Sequence, residues 1–304
     1  MPEPIKVIFL GTSSTVPTLE RRQSSTAVII RNETIIVDIG EDIQRAIIEH
    51  KVKTGKELTI LITHFHPDHC QGLLAFLTSM DLMSRKRPVR IIGPEGLTDF
   101  LRNFFILFRT SVRYPIHLYE IKEEEGEIDM GNWILEWFPA VHFGFSLGYV
   151  LKEKDYLGKF NVKKALDLGI PMGPLWGKLQ RGEEIEFNGE IIRPEEVLEG
   201  PIPGKRIVFS GDTKPNEILV GKAKNADLLV HEGTFPHWET DKHEKYMHSR
   251  TIDAAEIAKK ANVKRLIINH ISPRIKDVNE ETKKVKEIFE NAILSYDGLR
   301  IILK

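Results

Sequence analysis

The hexapeptide His64-Phe65-His66-Pro67-Asp68-His69 is the stretch that decides the fold and the chemistry of this chain. It follows an apolar run, Leu58–Thr63, that predicts a buried strand. The His-x-His spacing directs two imidazoles to one side of extended backbone, whereas Asp68 and His69 begin a turn into a helix. Imidazole and carboxylate are the ligands that divalent metals of the zinc type prefer. The hexapeptide therefore predicts a metal site at a strand end.

Three more candidate ligands lie just past predicted strands. His142, Asp212 and His270 each follow an apolar run that is typical of a strand. Because strand ends along one edge of a sheet converge, these side chains can reach the hexapeptide. Asp212 can bridge two ions, since a carboxylate has two oxygens and such ions lie about 3.5–4 Å apart. We expect two groups of ligands around Asp212: His64, His66 and His142 for one ion, and Asp68, His69 and His270 for the other.

The order of predicted elements is strands followed by alternating strands and helices, twice over. Ile- and Val-rich runs between turn residues predict strands at 5–10, 27–31, 34–38, 58–63, 89–92, 116–121, 133–138, 147–151, 206–210, 227–231, 265–269 and 299–303. Apolar spacings of three and four predict helices at 42–50, 69–79, 95–107, 249–261 and 280–293. Two mixed sheets packed face to face, with helices outside, satisfy this order.

Composition is ordinary for a soluble globular protein. The 304 residues are 41% hydrophobic and 29% charged, enough to form a large core. No apolar run approaches the roughly 18 residues of a membrane span, and the single cysteine, Cys70, excludes an internal disulfide. We therefore expect a cytoplasmic protein without membrane association, in which Cys70 is a small buried helix residue. The net charge of −1 gives no global field for nucleic acid, but a basic patch can lie within a neutral total.

One segment, residues 152–205, interrupts the alternation of strands and helices. It is rich in Gly and Pro, and its charges are divided along the chain. Residues 152–181 carry seven basic and three acidic side chains, whereas residues 183–199 carry seven acidic and one basic. A loop of this length is unusual unless it is functional. We interpret it as a protruding insertion in a single domain of residues 1–304, with a basic half that contacts an anion-rich partner.

Taken together, these residues resemble the metallo-β-lactamase superfamily and, within it, the short-form ribonuclease Z family of tRNA 3′-processing endoribonucleases. The resemblance runs nearly end to end, from Phe9–Ser14 through Val37–Glu41 to Asn269–Arg274. It implies an α+β fold, a four-layer αββα sandwich, with two Zn²⁺ per subunit. Mn²⁺ or Fe²⁺ at one position would suit the same ligands. The resemblance also implies a homodimer whose substrate is precursor tRNA.

Two motifs distinguish this family from the rest of the superfamily. His231–Phe235 is followed by His248, and in ribonuclease Z the Glu and His at the positions of Glu232 and His248 form a pair beside the metals. The segment Gly169–Leu179 resembles the Gly-Pro tip of the family's tRNA-gripping arm, with Trp176 expected to pack the tip rather than stack on a base. The chain departs from the family pattern at positions that are not ligands: Ile39, Pro67, Phe143, Gly233 and Arg250.

The chemistry and the resemblance together suggest roles for particular side chains. Asp68 is expected to orient the attacking water and accept its proton. His248 is expected to protonate the leaving ribose 3′-oxygen, with Glu232 stabilising its charged form. The products would be a tRNA 3′-hydroxyl and a trailer 5′-phosphate. Substrate is expected to bind at Arg274 and along the insertion at Lys159, Lys163, Lys164, Gly173, Pro174, Lys178 and Arg181.

Three other functions are open from the sequence. A small-molecule phosphodiesterase, or another hydrolase of the superfamily, would keep the ligands but needs no basic insertion. A non-catalytic RNA-binding relative would keep the insertion but needs no convergent ligands. Exonucleolytic trimming would use the same residues as endonucleolytic cleavage, so only the products formed from a long trailer separate the two.

Overall fold

The computed structural model describes residues 3–304, which form two compact units. Residues 3–152 and 206–304 form one unit, here called the sandwich, and residues 153–205 form the other, here called the arm. Strands of the sandwich form two seven-stranded mixed sheets, and those of the arm form a two-stranded sheet. No helix within residues 3–304 is long and apolar enough to cross a membrane.

The first sheet begins with antiparallel strands and continues with parallel ones. Its strands are β1 (Ile5–Gly11), β2 (Ser25–Ile30), β3 (Glu33–Val37), β4 (Glu57–Leu61), β5 (Val89–Pro94), β6 (Ile116–Ile121) and β16 (Arg300–Leu303). They lie in the order β16-β1-β2-β3-β4-β5-β6, and β3 to β6 are parallel. Parallel pairing requires crossover connections. These contain α1 (Ile43–Glu49), α2 (Pro67–Cys70), α3 (Gly72–Leu82) and α4 (Leu97–Leu107).

The second sheet has the same mixed character. Its strands are β7 (Gly126–Asp129), β8 (Trp133–Pro139), β9 (Leu147–Glu153), β12 (Arg206–Phe209), β13 (Leu228–Glu232), β14 (Leu266–Asn269) and β15 (Ala292–Leu294). They lie in the order β15-β14-β13-β12-β9-β8-β7, with β12 to β15 parallel. The helices that accompany this sheet are α8 (Glu217–Ala223), α9 (Lys242–Lys245), α10 (Thr251–Lys260) and α11 (Val278–Ile288).

The hydrophobic core fills the spaces between four layers. Side chains from both sheets, Phe9, Trp133 and Tyr149 among them, form one buried cluster between the sheets. A second cluster packs the first sheet against α1, α3 and α4. A third packs the second sheet against α8, α10 and α11. Helices, sheet, sheet and helices follow in that order, which is the αββα arrangement expected from the sequence.

The structure corrects several predicted elements. The helix predicted at 69–79 is two helices, α2 and α3, that meet at Gln71, and the second continues to Leu82. The helix predicted at 280–293 ends at Ile288, and Ala292 pairs with Leu266 in a parallel edge strand. Pairing with a sheet edge thus overrides an apolar spacing that also suits a helix. The sequence patterns did not indicate β7 or α8.

The arm has a small core of its own. Its elements are α5 (Val162–Asp167), α6 (Pro174–Gln180), β10 (Ile185–Phe187), β11 (Glu190–Ile192) and α7 (Pro194–Val197). Trp176 is buried in this core, and its indole N–H donates to the carbonyl oxygen of Ile170 at 3.1 Å. Trp176 therefore packs the arm, as the sequence favoured.

Candidate metal centre

The predicted ligands leave their strands through short, constrained turns. The backbone of His66 is extended, and Pro67 at the first position of α2 begins the helix that carries Asp68 and His69. Gly211, which follows β12, has a φ of 62°, and a Cβ there would lie 2.5 Å from the carbonyl oxygen of Leu147. Only glycine fits that position, and it leads directly to Asp212. His270, at the end of β14, is itself left-handed with a φ of 58°.

One group of ligand atoms comes from His64, His66, His142 and Asp212, all within 4.8 Å of one another. The Nε2 atom of His64 lies 2.9 Å from Nδ1 of His66 and 3.8 Å from Oδ2 of Asp212. Nε2 of His142 lies 3.3 Å from the same His66 nitrogen. His66 is half-buried, whereas the other three side chains are buried. This geometry fits a single cation among three imidazoles and a carboxylate.

The second group comes from Asp68, His69 and His270. Nε2 of His270 lies 3.2 Å from Nε2 of His69 and 3.2 Å from Oδ2 of Asp68. Oδ2 of Asp212 lies 3.2 Å from Nε2 of His69 and 3.4 Å from Nε2 of His270, so Asp212 also adjoins this group. The structure thus brings together all seven side chains that the sequence proposed as ligands.

Hydrogen bonds hold the imidazoles of His64 and His69 by the nitrogen that faces away from the centre. Nδ1 of His69 lies 2.7 Å from Oδ2 of Asp38, a buried carboxylate with a left-handed φ of 57°. The Thr63 hydroxyl donates to Asp38 and lies 2.9 Å from Nδ1 of His64, from which it can accept. These bonds leave both Nε2 atoms facing the centre.

His142 and His270 are held in the same way from the second sheet. Nδ1–H of His142 donates to the carbonyl oxygen of Met247 at 2.9 Å. Nδ1 of His270 lies 2.7 Å from the Thr234 hydroxyl, which donates to Oε2 of Glu232 at 2.7 Å. The orienting residues Asp38, Thr63, Thr234 and Met247 were not identified from the sequence. Asp38 and Thr234 lie within motifs that it singled out, whereas a backbone carbonyl carries no sequence signal.

Glu232 and His248 form an ion pair beside the centre. Oε1 of Glu232 lies 2.8 Å from Nδ1 of His248, and the same carboxylate accepts from the backbone N–H groups of Thr213 and Thr234. Burial favours the neutral ring, but Glu232 and then Asp212 raise the pKa of His248 to about 9. His248 is therefore a protonated donor with a fixed orientation at neutral pH in the metal-free protein.

Two buried carboxylates of the centre, those of Asp212 and Asp68, are ionised. Burial opposes ionisation of Asp212, yet the imidazoles of His270 and His69 hold its pKa well below the usual range. The pKa of Asp68 is lowered by His270 and His69 against the same opposing effect of burial. Two buried anions among five imidazoles, four of them oriented from outside, match the donor set of a divalent-cation site.

A cleft opens from His248 toward Arg274. Phe235, Tyr246, Ser14 and Val16 line it, with about 1070 Å³ of space including its open mouth. Arg274 is exposed, and its guanidinium lies 5.5 Å from the centre of the Phe235 ring. By contrast, Arg250, which departs from the family pattern, is the N-cap residue of α10, and its guanidinium is paired with Asp253 at 2.8 Å.

The remaining substrate-binding candidates lie in the arm. All are exposed: Lys159, Lys163, Lys164, Gly173, Pro174, Lys178 and Arg181. Lys163 and Lys164 lie in α5, Lys178 lies in α6, and Pro174 is the first residue of α6. Arg181 donates to Glu183 within the arm at 2.7 Å, which offsets part of its charge.

Comparison with known proteins adds independent evidence. Ribonuclease Z of Methanosarcina acetivorans is 37% identical over 299 residues, which cover 98% of this chain and 97% of that protein. The short form of human tRNase Z has a TM-score of 0.72 at 23% identity, covering 98% of this chain and 99% of that one. The metallo-β-lactamase fold protein YhfI from Bacillus subtilis has a TM-score of 0.71 at 14% identity, covering 99% of both chains. The predicted metallo-β-lactamase fold is confirmed.

A family model described as anti-Pycsar protein Apyc1 matches residues 5–107, less than half of the chain. The matched segment contains the hexapeptide and most of the first sheet. It lacks the ligands of the second sheet, the Glu232–His248 pair and the arm. The match therefore reflects shared architecture around the hexapeptide and does not distinguish between substrates.

Proposed function

This chain belongs to the ribonuclease Z family, and we propose that it removes the 3′ trailer of precursor tRNA with two zinc ions held by its seven converging ligands. The family predicted from the sequence is confirmed, and with it a metal-dependent nuclease that hydrolyses phosphodiester bonds in tRNA. The observation that carries the zinc proposal is the convergence of five imidazoles and two carboxylates beside the Glu232–His248 pair.

His64, His66 and His142 would hold one ion, Asp68, His69 and His270 the other, and Asp212 both. Bound cations would lower the pKa of water toward neutrality and neutralise charge on the phosphate. The preponderance of imidazole favours zinc, and manganese or iron at one position is compatible with the carboxylates.

The protein's own groups would carry the protons. Asp68, ionised in the folded protein, would accept the proton of the attacking water. The new bond joins the water oxygen to phosphorus, and the bond from phosphorus to the ribose 3′-oxygen breaks. His248 would donate the proton from its ring to that oxygen, while Glu232 holds the ring in place. The products are a tRNA 3′-hydroxyl and a trailer 5′-phosphate.

The arm would supply binding contacts to tRNA. Its exposed lysines suit phosphate recognition, because tRNA is read largely through shape and backbone. Gly173 and Pro174 would form the tip of the tRNA contact, and Arg274 would bind a phosphate near the centre. Family membership further supports a homodimer. A cytoplasmic setting is supported by the tRNA substrate and by the protein's single cysteine, Cys70, which forms no internal disulfide.

The test is cleavage of a 5′-labelled precursor tRNA with a long 3′ trailer by metal-loaded protein. We expect one cut and one labelled product, because an endonuclease does not generate a ladder. His248→Ala should lower kcat by about 10²- to 10⁴-fold, the usual effect of removing a general acid, while RNA binding persists. His117→Ala, an exposed histidine on β6, is the matched control and should cleave normally.

Two outcomes would contradict the proposal. A ladder of products would indicate exonucleolytic trimming by the same centre. Intact RNA, together with rapid hydrolysis of a chromogenic phosphodiester, would indicate the small-molecule hydrolase that the sequence left open. Metal analysis of the active protein is a separate measurement, which shows whether zinc, manganese or iron is present and how many ions each subunit holds.

A further inference from the structure

The cleft beside His248 has an aromatic wall, one ring of which is open to solvent. Phe235 is buried, and its backbone is fixed by hydrogen bonds with Ser249 and Thr251. The ring of Tyr246 lies nearly parallel to that of Phe235, with centroids 6.4 Å apart and 13° between the planes. Tyr246 is 46% exposed, so much of its ring is open to solvent. The wall thus presents an aromatic surface of defined orientation.

Cationic groups lie along the same cleft. Arg274 and Lys276 line it and are exposed, and the Arg274 guanidinium is held over Phe235 and donates to the Ser272 hydroxyl at 3.2 Å. Ser14, a buried residue, contributes a further polar group. An exposed ring and a positioned guanidinium that line one cleft match the stacking platform and phosphate contact of a single-stranded nucleotide site.

The position of the acid decides which nucleotide enters this cleft. His248 would protonate the 3′-oxygen that leaves, and that oxygen belongs to the nucleotide on the 5′ side of the cut. Since His248 itself lines the cleft together with Tyr246 and Arg274, the nucleotide bearing the leaving oxygen would enter this cleft. The first nucleotide of the trailer, attached through the phosphate that is attacked, would then lie outside this cleft.

From this geometry we propose a subsite for the last retained tRNA nucleotide, with its base stacked on Tyr246 and its 5′-phosphate at Arg274. The inference rests on the proposed function, because it uses the role of His248 to set the direction of the RNA. Tyr246 would bind every base through its π surface, and it would favour purines, whose larger rings stack more strongly.

The experiment combines protein and RNA changes in one cycle. Precursor tRNAs carry an abasic site either immediately 5′ or immediately 3′ of the cut, and kcat/KM is measured for the unmodified protein, Tyr246→Leu and Tyr246→Phe. We expect the 5′ abasic site to lower kcat/KM of the unmodified protein roughly tenfold, about one stacking interaction. On intact RNA, Tyr246→Leu should lower kcat/KM by a similar factor. On the 5′ abasic RNA, Tyr246→Leu and the unmodified protein should have the same kcat/KM. Tyr246→Phe should retain the response, because it keeps the ring.

The control is Tyr119→Leu, a part-exposed tyrosine on β6, which should respond to both abasic sites as the unmodified protein does. Metal content and thermal midpoint of each variant verify that the protein is folded. The subsite would be overturned if Tyr246→Leu and the 5′ abasic site lowered kcat/KM independently, so that their factors multiplied. It would also be overturned if the effect of Tyr246→Leu depended on the 3′ abasic site and not on the 5′ one. Failure of the unmodified protein to cut intact precursor would instead overturn the proposed function, so the two failures are distinguishable.

Discussion

The metal centre and the arm place their functional side chains in opposite ways. In the sandwich, six of the seven proposed ligands are buried, and four imidazoles are held by hydrogen bonds from outside the centre. In the arm, the proposed tRNA-binding lysines are exposed, and the arm's own core is small. Bond cleavage requires ligands held to within a fraction of an ångström, whereas attraction to phosphates depends on charge and tolerates variation in position. The two regions should therefore differ in their sensitivity to substitution.

The largest effect is expected from the carboxylate that adjoins both ligand groups. Asp212→Asn keeps the shape of the side chain but removes the charge, so metal content should fall and RNA cleavage should drop to background. Metal analysis and the cleavage assay measure the two losses, and a filter-binding assay should still detect tRNA on the arm. Asp99→Asn, an exposed residue of α4, is the control. Full metal content in Asp212→Asn would remove Asp212 from the ligand set.

A smaller loss is expected from an orienting group. Thr234→Val keeps the volume of the side chain but removes the hydroxyl between His270 and Glu232, so metal affinity should fall about 10- to 100-fold. Thr234→Ser should restore most of it. Thr59→Val removes a similar buried hydrogen bond, to Glu33 in the first sheet, and should leave metal affinity unchanged. Equal affinities of Thr234→Val and the unmodified protein, measured by chelator competition, would show that the hydroxyl orients nothing.

The ion pair beside the centre predicts a pH dependence of stability in chelator-treated protein. The pKa of His248 is raised from about 6.5 to about 9, so its contribution is complete below pH 6.5 and is lost as the pH rises through 9. This pKa shift corresponds to a contribution of about 3 kcal/mol to the free energy of unfolding. Denaturant unfolding at several pH values should show this decline, and His248→Gln should show a shallower one. If the free energy of unfolding declined equally with pH in the two proteins, His248 would not be the cause of the decline.

The mildest effect is expected in the arm. Lys163→Ala combined with Lys164→Ala should raise KM for precursor tRNA several-fold and leave kcat nearly unchanged. The salt dependence of tRNA binding should flatten, with a slope smaller by roughly one for each phosphate that the variant no longer neutralises. Lys283→Ala combined with Lys286→Ala, on α11 of the sandwich, is the matched pair. Equal salt slopes for both pairs would mean that these arm lysines do not bind tRNA.

Much of the fold was predictable because its strands are short apolar runs between turn residues. The predictions were weakest where two structures suit the same residues. Residues 289–293 continue an apolar spacing of three and four, yet Ala292–Leu294 forms an edge strand because β14 offers it a pairing partner. The strand β7 was missed because Gly126–Asp129 contains two acidic residues and a glycine, and it forms through its antiparallel partner β8.

By itself, the sequence determined the seven proposed ligands, the Glu232–His248 pair and the family. Those residues carry their chemistry in their side chains, and each lies at a position marked by a strand end or a motif. Only the tertiary structure decided which groups hold the ligands in place, such as Asp38 on His69 and the Met247 carbonyl on His142. The last pair is separated by 105 residues, and one partner is a backbone oxygen that every residue possesses. Such contacts arise from how the segments beyond the strand ends pack against one another, a property of the folded chain that no local pattern records.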